Sequence, residues 1–402
     1  MGAPLRVLHV GKYFAPYSGG METYLRDLMT AQIKRGWQSV ALVHQLKVSL
    51  FGVAAAQPVG HGELDVICAR VWLRVFFTPI SPSFPWLLRK LIREKKPQVL
   101  HLHLPNASAF WVLLLPSARR LPWVVHWHSD VLTSSHSLGL RIFYRVYRLF
   151  ERAVLRHANA IIVTSPPYLD ASRPLRDFHE KCHVVPLGLD PVNLPNVPSN
   201  TAASNPSRPL RVLAVGRLTY YKGFEFLISA AADCAFVEVH IVGVGERGAM
   251  LKALAARLAV SDRVIFHGHL SAHALAEQFA SCDCLCLPSI ERTEAFGLVL
   301  LEAMYYARAT VVSCVRGSGM GWVVKDGVTG LHVAPENKES LSTALRHMYG
   351  DRARVRTLGI KGRDRFYRHF HIDESAMGVE KVYYNVLCQD FKGSGLGTDD
   401  LN

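Results

Sequence analysis

LRVLHVG (residues 5–11) and LRVLAVG (210–216) are almost the same seven residues, one near the start and one near the middle of a 402-residue chain. Each is an apolar run closed by glycine, the pattern of a buried strand delivering the chain into a loop. After the first come a Gly-Gly loop and METYLRDLMTAQIKRG, whose apolar residues recur at helical spacing and which also ends in glycine. QSVALVH (38–44), PQVLHLH (97–103), PWVVHWH (122–128) and NAIIVTS (159–165) read as further buried strands alternating with helical segments. After the second, VEVHIVG (237–243), RVIFHG (263–268), CDCLCLP (282–288) and ATVVSC (309–314) repeat the scheme. Alternation of this kind implies a parallel sheet with helices on both faces, so the fold class is α/β with two Rossmann-like doubly wound domains in tandem.

The Pro-, Asn- and Ser-rich stretch PVNLPNVPSNTAASNPSRP (191–209) interrupts the pattern and reads as a linker. The expected domains are therefore 1–190 and 210–371. A final helical pattern, 372–391, is expected to pack back toward the first domain, and 392–402 to be a flexible tail. Ligands in such sheets bind at the carboxyl ends of the strands, and two domains facing each other would form a cleft.

Composition excludes several classes. With 50% apolar and 19% charged residues the chain is globular rather than disordered. The apolar run ASAFWVLLLP (107–116) is about half of the roughly 20 residues a membrane span needs. The N-terminus enters a strand without a secretion signal, which predicts a cytoplasmic protein. The eight cysteines lack CxxC spacing and read as reduced structural thiols. Residues 1–190 carry 23 Lys+Arg against 11 Asp+Glu, and the remainder 23 against 21, so nearly all of the +14 net charge sits in the first domain. That basic half, without a nucleic-acid-binding signature, points to an anionic membrane surface rather than to nucleic acid.

The chemistry gathers in two stretches of the second domain. VGRLTYYKGF (215–224) supplies Arg217 and Lys222 at a strand's carboxyl end, two cations suited to a diphosphate. TEAFGLVLLE (293–302) places Glu294 just before, and Glu302 inside, a helix that should start near Phe296 or Gly297. Were the whole stretch helical, the two carboxylates would lie ~12 Å apart along the axis, too far for one acid/base pair. Holding different parts of one long ligand fits better, and a sugar, diphosphate and ribose laid end to end have that length. The helix N-terminus would take a phosphate. In the first domain, Gly19 and Gly20 form a loop that lets backbone amides approach a ligand. His126, His128 and Asp130 end a strand; His128 is expected to contact substrate and His126, by strand alternation, to point away. No Asp-x-Asp occurs, so no metal site is expected.

Together YSGGMETYLRDL, VVHWHSD, PLGLD, VGRLTYYKGF, GVGE, TEAFGLVLLEAM and KDGVTGLHV resemble the retaining glycosyltransferases of family 4 with the GT-B fold, over essentially the whole chain. The resemblance implies that Glu294 binds the donor sugar's hydroxyls and Glu302 the ribose. It gives Arg217 and Lys222 the diphosphate, and Phe296, Gly297 and Leu298 backbone contacts. His128 would lie near the transferred sugar, Gly19 and Gly20 near the phosphate and acceptor. It implies retention without cofactor or metal, the departing diphosphate itself deprotonating the acceptor hydroxyl. Leu187, where the family often has Asn, and Trp322, where many members carry Glu, depart from the pattern. The second departure is shared with enzymes of bacterial surface polysaccharides, which favours a mannosyl- or related hexosyltransferase and GDP-mannose over a UDP-hexose. Arg141, Arg145, Arg148, Arg152 and Arg156 stripe one face of 141–157, and 70–96 adds aromatic and basic residues. These predict peripheral attachment to the inner face of the cytoplasmic membrane and a glycolipid or polyprenyl-diphosphate-linked acceptor. A nucleotide-sugar epimerase or hydrolase with Asp130 as its base, or a non-catalytic sugar-nucleotide-binding protein, are the alternatives.

Overall fold

The strands that carry the two opening motifs, β1 (Arg6–Val10) and β10 (Leu210–Val215), each lie inside an all-parallel sheet. The computed structural model describes residues 4–16, 19–48, 64–75, 78–131, 138–197 and 208–393. The chain divides into one unit of Met1–Gly188 with Ile372–Asn402 and a second of Leu189–His371.

In the first unit β1 is followed by β2 (Gln38–Val48), β3 (Asp65–Val71), a two-stranded hairpin of β4 (Leu73–Val75) and β5 (Thr78–Ile80), then β6 (Val99–Leu104), β7 (Trp123–Trp127), β8 (Ala160–Val163) and β9 (Cys182–Val184). The main sheet runs β3-β2-β1-β6-β7-β8-β9, every neighbour parallel. Its central strands are buried along their whole length, which is why they read as continuous apolar runs rather than alternating ones. The helix Gly20–Lys34 buries Tyr24, Leu25, Leu28 and Met29. The closing helix, Ile372–Gly393, belongs to this unit: the hydroxyls of Tyr24 and Ser375 hydrogen-bond at 2.9 Å, and the Tyr383 hydroxyl meets His101 Nδ1.

In the second unit β10 is joined by β11 (Val237–Val242), β12 (Val264–Gly268), β13 (Cys284–Leu287), β14 (Ala309–Ser313) and β15 (Gly330–Val333), in the parallel order β12-β11-β10-β13-β14-β15. Val212, Phe224, Ile241, Cys284, Val311 and Leu341 are fully or almost fully buried in one core.

Three main-sheet strands, β3, β9 and β15, were not anticipated. β9 spans three half-exposed or exposed residues, too few for periodicity to register, and β15 lies inside the KDGVTGLHV stretch, where glycines mask the strand signal. The segment expected to be a linker begins with a 3₁₀ turn, Pro191–Asn193, and Tyr306 donates to the Pro195 carbonyl at 2.8 Å; 198–207 lie outside the described residues, as do 394–402 of the expected tail. All eight cysteines are free thiols.

Candidate functional site

In the second unit the loop after β10 and the loop after β13 are fastened together. The Tyr220 hydroxyl donates to Glu291 at 2.7 Å, and the Ile290 amide donates to the Tyr221 carbonyl at 2.8 Å. At their junction the Lys222 ammonium forms a short ion pair with the Glu294 carboxylate, with side chains only 10% and 14% exposed. Burial by itself would lower the Lys222 pKa, but Glu294 and the neighbouring Tyr221 outweigh it and hold the ammonium above its ordinary value. Arg217 is near enough to act against that rise, and it is exposed on the same loop. Gly216 makes room for this arrangement: a Cβ there would lie 3.0 Å from both Cε and Nζ of Lys222, at a φ of +154°.

The helix that follows Glu294 is Leu298–Tyr305, with Gly297 as its N-cap at φ 79° and ψ 65°, a left-handed conformation that glycine adopts without penalty. Residues 294–297 are therefore loop rather than helix, and the axial count from Glu294 to Glu302 does not apply. The Glu294 carbonyl is held by the Ser318 hydroxyl and the Ala295 carbonyl by the Gly319 amide. Leu298 opens the helix beside its unpaired amides and Glu302 sits half-buried one turn on. The Phe296 ring packs edge-on against Phe370 in the core, which leaves its backbone rather than its side chain for a ligand. Trp322 stacks under the Arg365 guanidinium, 5.7 Å from the ring centre.

In the first unit Gly19 caps, and Gly20 begins, the helix Gly20–Lys34, with Glu22 buried in its first turn. His128 is buried after β7, its Nε2 3.0 Å from His103 Nδ1, while its own Nδ1 has no hydrogen-bond partner. His126 does not point away: its ring stacks on that of His128 at 4.3 Å and 5°. The expectation fails because residues two apart on a strand share a face, and only consecutive ones alternate. Asp130 accepts from Trp127 Nε1 at 2.8 Å and the Ser172 hydroxyl at 2.7 Å, so its carboxylate is committed to holding the loop, which weakens the epimerase or hydrolase alternative.

The two histidines belong to a larger buried group that sequence reading missed. His9 on β1, His101 and His103 on β6, and His126 and His128 share one sheet face, with His9 beside His101 and His103 beside His126 in register. A chain of contacts runs from Gln32 Oε1 to His9 Nε2 (2.9 Å), His9 Nδ1 to His103 Nε2 (3.1 Å), and on to His128. Burial pushes His9 down to about 4 and His128 to about 3; His101, His103 and His126 are driven well below their ordinary value by burial and by one another. Two triads, His9/His101/His103 and His103/His126/His128, have ring nitrogens within 4.8 Å and are the groups of described residues whose donor sets could hold a metal ion. Stacked rings and imidazole–imidazole hydrogen bonds instead fit a neutral packed cluster. The available signal was histidine at the interior of three strands that proved to be neighbours.

Residues 200–365 match the group 1 glycosyl transferases and residues 19–188 the glycosyl transferase 4-like domain. The chain is similar to O-antigen chain mannosyltransferase C of Escherichia coli, 27% identical over 95% of this chain and 99% of that protein. It is also similar to the D-rhamnosyltransferase WbpZ of Pseudomonas aeruginosa, 28% identical over 91% and 92%. Among solved structures, sucrose-phosphate synthase from Thermosynechococcus elongatus superposes with a TM-score of 0.76 at 23% identity, covering 96% of this chain and 100% of that one. HepE of Anabaena in complex with UDP and glucose superposes at 0.73 and 19% identity, covering 94% and 99%. With one family match filling most of each unit and the GT-B fold recurring over the whole length, the chain belongs to the family 4 glycosyltransferases.

Proposed function

We propose that this glycosyltransferase moves a hexosyl residue, mannosyl ahead of others, from a nucleoside-diphosphate sugar to a lipid-linked or polysaccharide acceptor in cell-surface glycan synthesis, with retention of configuration and without a metal or other cofactor. The observation that carries the reading is the buried Lys222–Glu294 pair beside Arg217 and the Gly297-capped helix. Arg217 and Lys222 take the diphosphate, Glu294 accepts hydrogen bonds from the sugar's hydroxyls, Phe296, Gly297 and Leu298 offer backbone groups, and Glu302 accepts from the ribose. His128 meets the transferred sugar, and Gly19 and Gly20 lie by the phosphate and acceptor.

As the bond from the anomeric carbon to the diphosphate oxygen breaks, that oxygen takes the proton of the acceptor hydroxyl, whose oxygen bonds the same face of the anomeric carbon. The two cations and the helix dipole stabilise the charge that develops on the leaving group, the largest catalytic term in chemistry of this kind. The mannosyl and rhamnosyl names of full-length relatives support a surface glycan and GDP-mannose; UDP-containing structural neighbours keep a UDP-hexose as the second donor. Arg145, Arg148, Arg152 and Arg156 are exposed on the helix Leu138–His157 beside exposed Val146, Leu149 and Phe150, which supports peripheral attachment to the inner face of an anionic cytoplasmic membrane. No helix among the described residues is long and apolar enough to cross a membrane.

The test is transfer from GDP-mannose in excess EDTA to a lipid-linked oligosaccharide, with the product's anomeric configuration read by NMR. An α-linked product formed without metal supports the reading; an inverted linkage, or strict dependence on a divalent ion, contradicts it.

A further inference from the structure

The first unit contains a groove of about 510 Å³, within the range of roughly 300–1,000 Å³ typical of small-molecule sites. Pro79, Ile80, Pro85, Trp111, Leu114 and Phe150 line it almost entirely with hydrocarbon. They come from the β4–β5 hairpin, the start of the helix Phe84–Lys95, the 3₁₀ segment Ala107–Leu113 with its C-cap Leu114, and the helix Leu138–His157. Ile80, Trp111, Leu114 and Phe150 are between 38% and 64% exposed, an unusual amount of large apolar surface for one patch. The lining does not suit a saccharide, which needs convergent polar groups: Thr78, Ser81 and Ser108 supply the few hydroxyls.

What surrounds the groove narrows its occupant. Trp72, whose amide donates to the carbonyl of the lining Ile80 at 2.9 Å, and Trp86, next to the lining Pro85 on the helix Phe84–Lys95, are exposed, the latter with the Lys90 ammonium 5.6 Å from its ring centre. At about 100° per residue, Arg145 and Arg148, exposed on the helix of Phe150, lie on the flank away from Phe150 and the groove. Tryptophans and a lysine beside an apolar slot match the headgroup level of a membrane, where a chain enters the slot and a phosphate meets the ammonium.

We infer that this groove binds the hydrocarbon chain of a phosphorylated polyprenyl lipid, the carrier of the acceptor, with the Lys90 ammonium toward its phosphate. The inference rests on the lipid-linked acceptor reading and adds where the lipid sits. A flat anionic bilayer offers phosphate charge without a chain that leaves the membrane, so the groove separates the two.

The experiment compares flotation of wild type, Leu114→Asp and Trp111→Ser with zwitterionic vesicles doped either with polyprenyl phosphate or with phosphatidylglycerol of equal charge. Both substitutions fall on exposed wall residues, and their melting temperatures report that the fold survives. Wild type should bind the polyprenyl phosphate vesicles at least tenfold more tightly than the phosphatidylglycerol ones, and either substitution should erase that preference. Equal binding to both vesicle types, or variants that keep the preference, overturns the groove while leaving a lipid-linked acceptor intact. Wild type that binds neither and transfers sugar only to a soluble saccharide overturns the lipid-linked reading itself.

Discussion

Lys222 and Glu294 lie 72 residues apart in the chain and form one ion pair between the loops that follow β10 and β13. On the proposed reading, a donor diphosphate would meet an ammonium already positioned and charged, at the cost of sharing it with a carboxylate. The pair also explains why both residues are there without ligand: each would be expensive to bury alone.

Removing one partner leaves the other buried and unpaired, so Lys222→Met or Glu294→Gln should each destabilise the second unit by on the order of 3 kcal/mol. The double variant should recover much of that loss while remaining inactive. Urea unfolding of the three variants checks this; additive losses in the double variant would show that the two side chains do not stabilise one another.

Gly297→Ala places a side chain at a left-handed N-cap, costing about 1–2 kcal/mol in backbone strain. Its Cβ would also stand 2.9 Å from methyls of Leu287 and Leu300. Gly216→Ala presses instead on Lys222. Thermal melts with and without nucleotide should separate them, Gly297→Ala lowering stability most and Gly216→Ala weakening nucleotide binding beyond its effect on the melt.

The histidine cluster makes the first unit acid-sensitive. His9 in the cluster, and the buried His44 on β2 outside it, are lowered from 6.5 to about 4 and His128 to about 3, all chiefly by burial. A depressed folded pKa means that the unfolded chain binds the proton first. The stability these groups contribute is thus complete above pH 6.5 and is lost as pH falls toward 4. Each proton taken up on unfolding adds a slope of about 1.4 kcal/mol per pH unit. Urea midpoints should fall steeply between pH 7 and 5, and His126→Leu, which removes two buried ring nitrogens without partners, should flatten the fall. A midpoint that is level across that range contradicts the account.

His128→Ala should lower transfer by roughly 10²–10³-fold if its unpartnered Nδ1 serves a substrate hydroxyl. Nucleotide affinity, which the proposal assigns to the second unit, should stay within about twofold. Single-turnover kinetics beside equilibrium binding tests the split; equal losses in both would assign His128 to donor binding.

The sequence made the tandem α/β scheme legible because parallel strands buried on both faces are written as uninterrupted apolar runs, as in LRVLAVG and CDCLCLP. It could not show β9 or β15, which are short and poor in periodic signal. Arg217, Lys222 and Glu294 could be picked out because each flanks the end of a strand or helix, and Glu302 because it follows Glu294 inside the next helix. That Lys222 touches Glu294 could not, since a pairing across 72 residues depends on which loops the sheet order brings together. The five-histidine cluster was hidden for the same reason: three of its strands are neighbours only in the order β1-β6-β7.

The donor-diphosphate site proposed above is built around Lys222. Its most direct test is titration calorimetry of GDP, UDP and ADP into wild type and Lys222→Ala, with EDTA present. The account predicts metal-independent binding of one of these diphosphates, weakened at least tenfold by Lys222→Ala. Wild type that binds none of the three, or a variant that binds as tightly as wild type, would contradict it.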